Sequence, residues 1–208
     1  MFYKFVLVVL FLSLPFSGWA LFVFHSDLEG DGVKERIVFS PRSERVLKVF
    51  RGEEEVWSGL PDRWEAWKLV VADMDGDRVK ELLVGVKVST RFFPRRHKSV
   101  FVLGWNGRFA YARWLCSHLS KPLIDFLAFD VDGDFKDELI TLEESSNGRA
   151  HLLVYKWIGF GYVGIWESKP LCGVELFQKE GKVGVKLFDG RSFFLSIVDG
   201  KLVLRHSP

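Results

Sequence analysis

The stretch Asp73-Met74-Asp75-Gly76-Asp77 is followed by Glu81, so four carboxylates fall within nine residues, just ahead of the apolar run Leu82-Leu83-Val84. Like charges at that density repel one another unless water or a cation stands between them. The arrangement recurs at Asp27, Glu29, Asp31 and Glu35, and again at Asp130, Asp132, Asp134 and Glu138. In each copy acids hold positions one, three, five and nine, and glycine holds position four (Gly30, Gly76, Gly133). Alternating acids on a tight turn gather oxygen atoms on one side of a concave backbone. Calcium, which takes six to eight oxygens at about 2.3–2.6 Å, suits such a turn. The expected ligands are these side chains together with the backbone carbonyl at position seven (Val33, Val79, Lys136), water completing the shell. Magnesium demands stricter octahedral geometry and keeps more water. Zinc calls for His or Cys, and the loops contain neither. The expectation is up to three calcium ions. A merely solvated acidic turn is the plainer alternative, and recurrence in register weighs against it.

A second cluster could bind rather than react. Lys87, Arg91, Arg95, Arg96 and Lys98 surround Phe92, Phe93 and Pro94. Basic groups beside exposed aromatics suit an anionic glycan or a carboxylate-rich protein, with Arg91, Phe92, Phe93, Arg95 and Arg96 as the expected contacts. A solvated hairpin loop is the alternative. The formal charge of +2 gives no bulk attraction to nucleic acid. The five histidines (His25, His97, His118, His151, His206) are scattered, and no Ser, Cys or carboxylate pair has a nucleophile's surroundings. The expectation is a non-catalytic protein.

The elements that must carry these loops are strands. An apolar, β-type segment precedes each acidic motif and another starts directly after it. A strand–turn–strand segment then follows each: VLKVFRGEEEVW, VFVLGWNGRFAYARW and LLVYKWIGFGYVGIW. Trp105 and Trp157 lie two residues ahead of the turn glycines Gly107 and Gly159. Near the C-terminus Lys179-Glu180-Gly181 and Asp199-Gly200 join further strands, this time without acids, Asp-Gly being a favoured hairpin turn. Helix has little support beyond a weak turn at 62–67. Four units result, approximately 21–66, 67–120, 121–170 and 171–208, the fourth without its acidic loop. They predict an all-β fold, a small β-propeller of about four four-stranded blades. An open arc of blades completed by dimerisation is the alternative; a closed ring would be a monomer.

The repeats resemble the FG-GAP and VCBS repeats of integrin-α-type propellers, roughly Asp-x-Asp/Asn-Gly-Asp-Gly-x-x-Asp followed by an apolar strand. The resemblance spans three clear copies and a degenerate fourth. It implies that each loop joins the first two strands of a blade and binds calcium through the acids named above. The chain departs at position nine (Glu for Asp), at position six (Arg78 and Phe135, against Gly32) and at position three of the first copy (Glu29). Losing glycine at the sharp bend is expected to strain the loop. Position twelve is Val38, Val84 or Thr141, so an EF-hand or dockerin loop, with its acidic twelfth ligand and following helix, does not fit.

Residues 1–20 carry one charge, Lys4, then an apolar run and Gly18-Trp19-Ala20. This reads as a signal peptide cleaved after Ala20, an uncleaved anchor being the rival. The mature protein is expected outside the cytoplasm, periplasmic or secreted, free of the membrane. Cys116 and Cys172 would there be able to pair; two free buried thiols are equally consistent with the sequence. The functional expectation is a calcium-binding interaction module for an anionic glycan or an extracellular or envelope protein. The alternatives are a calcium-dependent polysaccharide-acting enzyme and a structural subunit of an envelope complex.

Overall fold

A computed structural model describes residues 21–41, 43–145 and 147–206; the segment read as a signal peptide lies outside them. Sixteen strands make up the fold, arranged as four antiparallel sheets of four strands in simple up-and-down order. The first sheet holds β1 (Phe22–Ser26), β2 (Glu35–Phe39), β3 (Leu47–Arg51) and β4 (Glu54–Gly59). The second holds β5 (Lys68–Ala72), β6 (Glu81–Val88), β7 (His97–Trp105) and β8 (Ala110–Leu115). The third holds β9 (Leu123–Phe129), β10 (Glu138–Glu144), β11 (Ala150–Trp157) and β12 (Tyr162–Glu167). The fourth holds β13 (Gly173–Lys179), β14 (Lys182–Leu187), β15 (Ser192–Val198) and β16 (Lys201–His206). The weak helical signal near residue 62 is a single 3-10 turn, Asp62–Trp64.

Side-chain alternation explains how the sheets stack. Successive residues of a strand point to opposite faces. On β6, Leu82, Val84 and Val86 enter a core shared with Ile37, Leu47 and Val49 of the first sheet. Leu83, between them, enters a second core with Phe126, Leu139 and Leu153 of the third sheet. On β10, Ile140 and Leu142 pass to a third core with Leu176, Val185 and Leu195 of the fourth. A strand sandwiched between two sheets is apolar throughout, which is why β6 and β10 read as continuous hydrophobic runs. The third and fourth strands of the first three sheets share a bulge at one place, between Val49 and Phe50, Val102 and Leu103, and Val154 and Tyr155. The bulge marks the repeat as clearly as the acids do.

No closure of the four sheets into a ring is found among the described residues: no core cluster there joins the first sheet to the fourth, against the expected closed ring. The reason lies in the end faces. Opposite Ile37 on β2 lies the register row His25–Arg36–Phe50–Glu55. Opposite Val185 on β14 lies Phe177–Gly184–Phe194–Arg205. Both rows mix aromatic with charged groups, where β6, between two sheets, buries aliphatic side chains on both faces.

Candidate metal centres

The β1–β2, β5–β6 and β9–β10 connections are one loop built three times. Its first aspartate organises the backbone. Asp27 accepts the amides of Gly30 at 2.7 Å and Gly32 at 2.8 Å; Asp73 accepts those of Gly76 at 2.8 Å and Arg78 at 3.0 Å; Asp130 accepts those of Gly133 at 2.7 Å and Phe135 at 3.0 Å. Side-chain turns of this kind tolerate left-handed backbone, and the sixth residue is left-handed in every copy, at φ 89°, 72° and 67° for Gly32, Arg78 and Phe135. The departures at position six therefore keep the loop's shape, at a cost of about 1–2 kcal/mol each for the non-glycine residues. Burial works to raise the Asp27 carboxyl, but the Gly32, Gly30 and Asp31 amides outweigh it and hold the group below its ordinary range.

Position nine explains its own departure. Glu35, Glu81 and Glu138 open β2, β6 and β10 and are essentially fully buried. Each reaches back with Oε2 to the amide of position two: Leu28 at 2.9 Å, Met74 at 3.0 Å and Val131 at 3.0 Å. The extra methylene of Glu over Asp supplies that reach. Burial pushes the Glu81 carboxyl up to about 7, against the lowering pull of the Met74 amide and Arg113. Burial also raises Glu138.

Two sets of acids converge. Ligand atoms of Asp73, Asp75 and Glu81 lie within 4.8 Å of one another, as do those of Asp130, Asp132 and Glu138. The position-five acids Asp31, Asp77 and Asp134 instead accept the position-seven amides of Val33, Val79 and Lys136 at 2.9, 2.8 and 3.0 Å. Among the described residues Asp27, Glu29 and Glu35 form no such group. In the two convergent sets one oxygen is buried without a hydrogen bond, Asp75 Oδ1 and Glu138 Oε1. A buried carboxylate oxygen without a hydrogen-bond donor is costly, and a bound cation would offset that cost; the nearest charge to Glu138 Oε1 is the Lys156 ammonium at 3.5 Å. On donor chemistry, both sets fit a hard divalent ion.

Each loop also meets a cation of the protein, which sequence reading missed. Arg51, ending β3, bonds Glu29 and Glu35. Arg113 on β8 bonds Asp75 and Glu81. Lys156 on β11 bonds Asp132 at 2.8 Å and Asp134 at 2.7 Å, and stands 3.5 Å from Glu138. Those two hydrogen bonds raise the affinity of Lys156 for its proton. Arg51 and Lys156 sit on third strands and Arg113 on a fourth. Gly104 on β7, packed under the Tyr111 ring, provides no side chain to do the same. No common spacing marked these three residues. The turn tryptophans lie nearby: Trp105 donates to Glu29 at 3.2 Å, and Arg113 lies 5.5 Å from the centre of the Trp157 ring.

The basic loop joins β6 to β7. Phe92 is 79% exposed with Arg91 6.0 Å from its ring centre. Phe93 packs edge-on against His97 at 4.5 Å and tilts over His118 at 5.6 Å. Arg96, though exposed, is engaged, bonding the Lys87 carbonyl at 3.0 Å and pairing with Glu65 at 2.8 Å. Lys87, Arg96, His97 and Lys98 line a cleft of about 210 Å³ beneath the loop. His25 is exposed on β1. The two cysteines are free, Cys116 buried and Cys172 exposed, and burial raises the Cys116 thiol to about 11.

No protein-family model matches this chain, and no curated protein matches it.

Proposed function

We propose that the chain is a calcium-binding repeat protein of the FG-GAP/VCBS propeller type, working outside the cytoplasm as a non-catalytic interaction module. The observation that carries the calcium reading is the pair of buried, donor-less oxygens, Asp75 Oδ1 and Glu138 Oε1, each within a convergent acidic set. Asp73, Asp75 and Glu81 would hold one ion; Asp130, Asp132 and Glu138 would hold the other. The ion supplies charge that offsets the acids' repulsion, and its role is to fix each loop to its sheet. An ion bound only by the folded state adds RT ln(1 + [L]/Kd), about 2.7 kcal/mol at a hundredfold excess over Kd. The interaction reading draws support from the exposed Phe92 beside Arg91, with Arg95 exposed on the same loop, which suits an anionic glycan or an acidic protein surface. Titration calorimetry with a thermal melt tests the core of this reading. Two calcium ions per chain and a melting temperature lowered by chelator are expected. No uptake together with an unchanged melt overturns it.

The unjoined end sheets favour the arc over the closed four-blade ring. Two arcs pairing end to end would bury both mixed faces, and light scattering distinguishes that dimer from a monomer.

A further inference from the structure

We infer that Arg51 takes the ion's place in the first acidic loop, so that this loop is closed to metal by a side chain of its own sheet. The inference builds on the calcium reading of the second and third loops and concerns what sets the first apart. Arg51 places Nε 3.2 Å and Nη2 2.9 Å from Glu35 Oε1, and Nη2 also bonds Glu29 Oε1. Glu35 Oε2 is held by the Leu28 amide. Glu29 Oε1 accepts a second bond from the Trp105 indole at 3.2 Å. Both Asp27 oxygens are engaged by the amides of Gly30, Asp31 and Gly32. The first aspartate is engaged alike in all three loops, but here both oxygens at position nine and Oε1 at position three have side-chain or amide donors as well.

The other two loops end differently. Arg113 bonds Asp75 and Glu81 yet leaves Asp75 Oδ1 buried without a donor. Lys156 spans Asp132 and Asp134 but forms no hydrogen bond to Glu138 Oε1. Against the third loop the difference is chemical, since the Lys156 ammonium is a point charge whereas the planar Arg51 guanidinium presents a fork that satisfies two carboxylates together. Arg113 spans two carboxylates as Arg51 does, and there the difference is the bare Asp75 Oδ1. Glu29 contributes as well: its side chain, a methylene longer than those of Asp75 and Asp132, extends to meet both Arg51 and Trp105. The first copy is thus the one with glycine at position six and also the one without a convergent ligand set. Its oxygens serve a fixed internal cation.

The test is ion stoichiometry by calorimetry with calcium on the purified protein and its Arg51→Met variant, which keeps the unbranched apolar stem of the side chain and removes the guanidinium. The variant is expected to bind one ion more than the parent, three against two. An equal number in parent and variant overturns the inference, and so does a parent that binds three. A parent that binds none overturns the calcium reading of the second and third loops, while the difference between variant and parent still decides the role of Arg51. Glu29→Gln in the parent background keeps the question open to refutation should Arg51→Met fail to fold. It is expected to leave the count unchanged, and a loss of one ion overturns the inference.

Discussion

The Asp137 amide donates to the Asp73 carbonyl oxygen at 2.7 Å, and the Asp137 carboxylate accepts the Asp73 amide in return at 2.8 Å. This reciprocal pair ties position eight of the third loop to position one of the second. The first and second loops have a one-sided counterpart, the Lys80 amide on the Leu28 carbonyl at 3.0 Å. Replacing Asp137 by Ala leaves the amide of Asp73, a residue only 6% exposed, without its acceptor. The expected cost is about 1–3 kcal/mol, read as a lower urea midpoint. Asp137→Asn keeps an oxygen acceptor and should recover most of the loss. A midpoint unmoved by Asp137→Ala would remove the clamp from this account.

The two convergent acid sets each come from a single loop, and repeat stability is mostly local and nearest-neighbour. Asp75→Ala and Asp132→Ala should therefore each lower the calcium count by one and leave the other site. Calorimetry on both variants checks this. A single substitution that abolished all uptake would indicate one ion shared between loops.

Packing between the second and third sheets depends on Phe126, which is fully buried and meets Trp67 edge-on at 5.5 Å. Gly85 makes room for the pair, since a Cβ there would come within 2.7 Å of Phe126 and 2.8 Å of Trp67. Phe126→Ala should cost about 3–5 kcal/mol. Gly85→Ala should cost about 1–3 kcal/mol through overcrowding. Chemical denaturation measures both, and a neutral Gly85→Ala would mean that the aromatic pair yields.

What could be read from sequence was what depends on neighbours in the chain. The strand–loop–strand order, the hairpin at Asp199-Gly200 and the convergence of Asp73, Asp75 and Glu81 follow from turn chemistry and alternation. The cations could not be read, because Arg51, Arg113 and Lys156 reach acids 16, 32 and 24 residues away in the chain, two from third strands and one from a fourth. The tolerance of Arg78 and Phe135 at left-handed positions was hidden too, since it rests on amide bonds to Asp73 and Asp130. Closure depends on whether two distant faces match, and the charges of Arg36 and Arg205 are intelligible only once their strands are in register.

Glu143 gives the fold a pH dependence away from the acidic loops. It is fully buried on β10, accepting Thr141 at 2.7 Å, Tyr155 at 2.8 Å and the Lys121 amide at 2.6 Å. Burial raises its carboxyl above the ordinary 4.5, outweighing those three donors. The folded chain then holds the proton more tightly than the unfolded one. The contribution is fully present below the ordinary value and is lost as pH rises through the raised one. Urea midpoints measured from pH 4.5 upward should fall more steeply for the parent than for Glu143→Gln. Parallel slopes would place the titration elsewhere.

The basic loop separates its arginines by role. Arg96 is committed to Glu65 and the Lys87 carbonyl, while Arg91 stands beside the exposed Phe92 and Arg95 makes no ion pair among the described residues. A guanidinium already paired must give up its partner before it can grip a sulfate or carboxylate, whereas Arg91 and Arg95 need give up none. On a heparin column the parent should be retained at low salt and released as screening shortens the reach of its charges. The Arg91→Ala, Arg95→Ala double variant should elute at clearly lower salt with its melting temperature unchanged. Arg96→Ala should shift elution less. Equal elution of the parent and the double variant, or no retention of the parent, would assign recognition to another face, because these are the two cations of the loop whose binding capacity the fold leaves unspent.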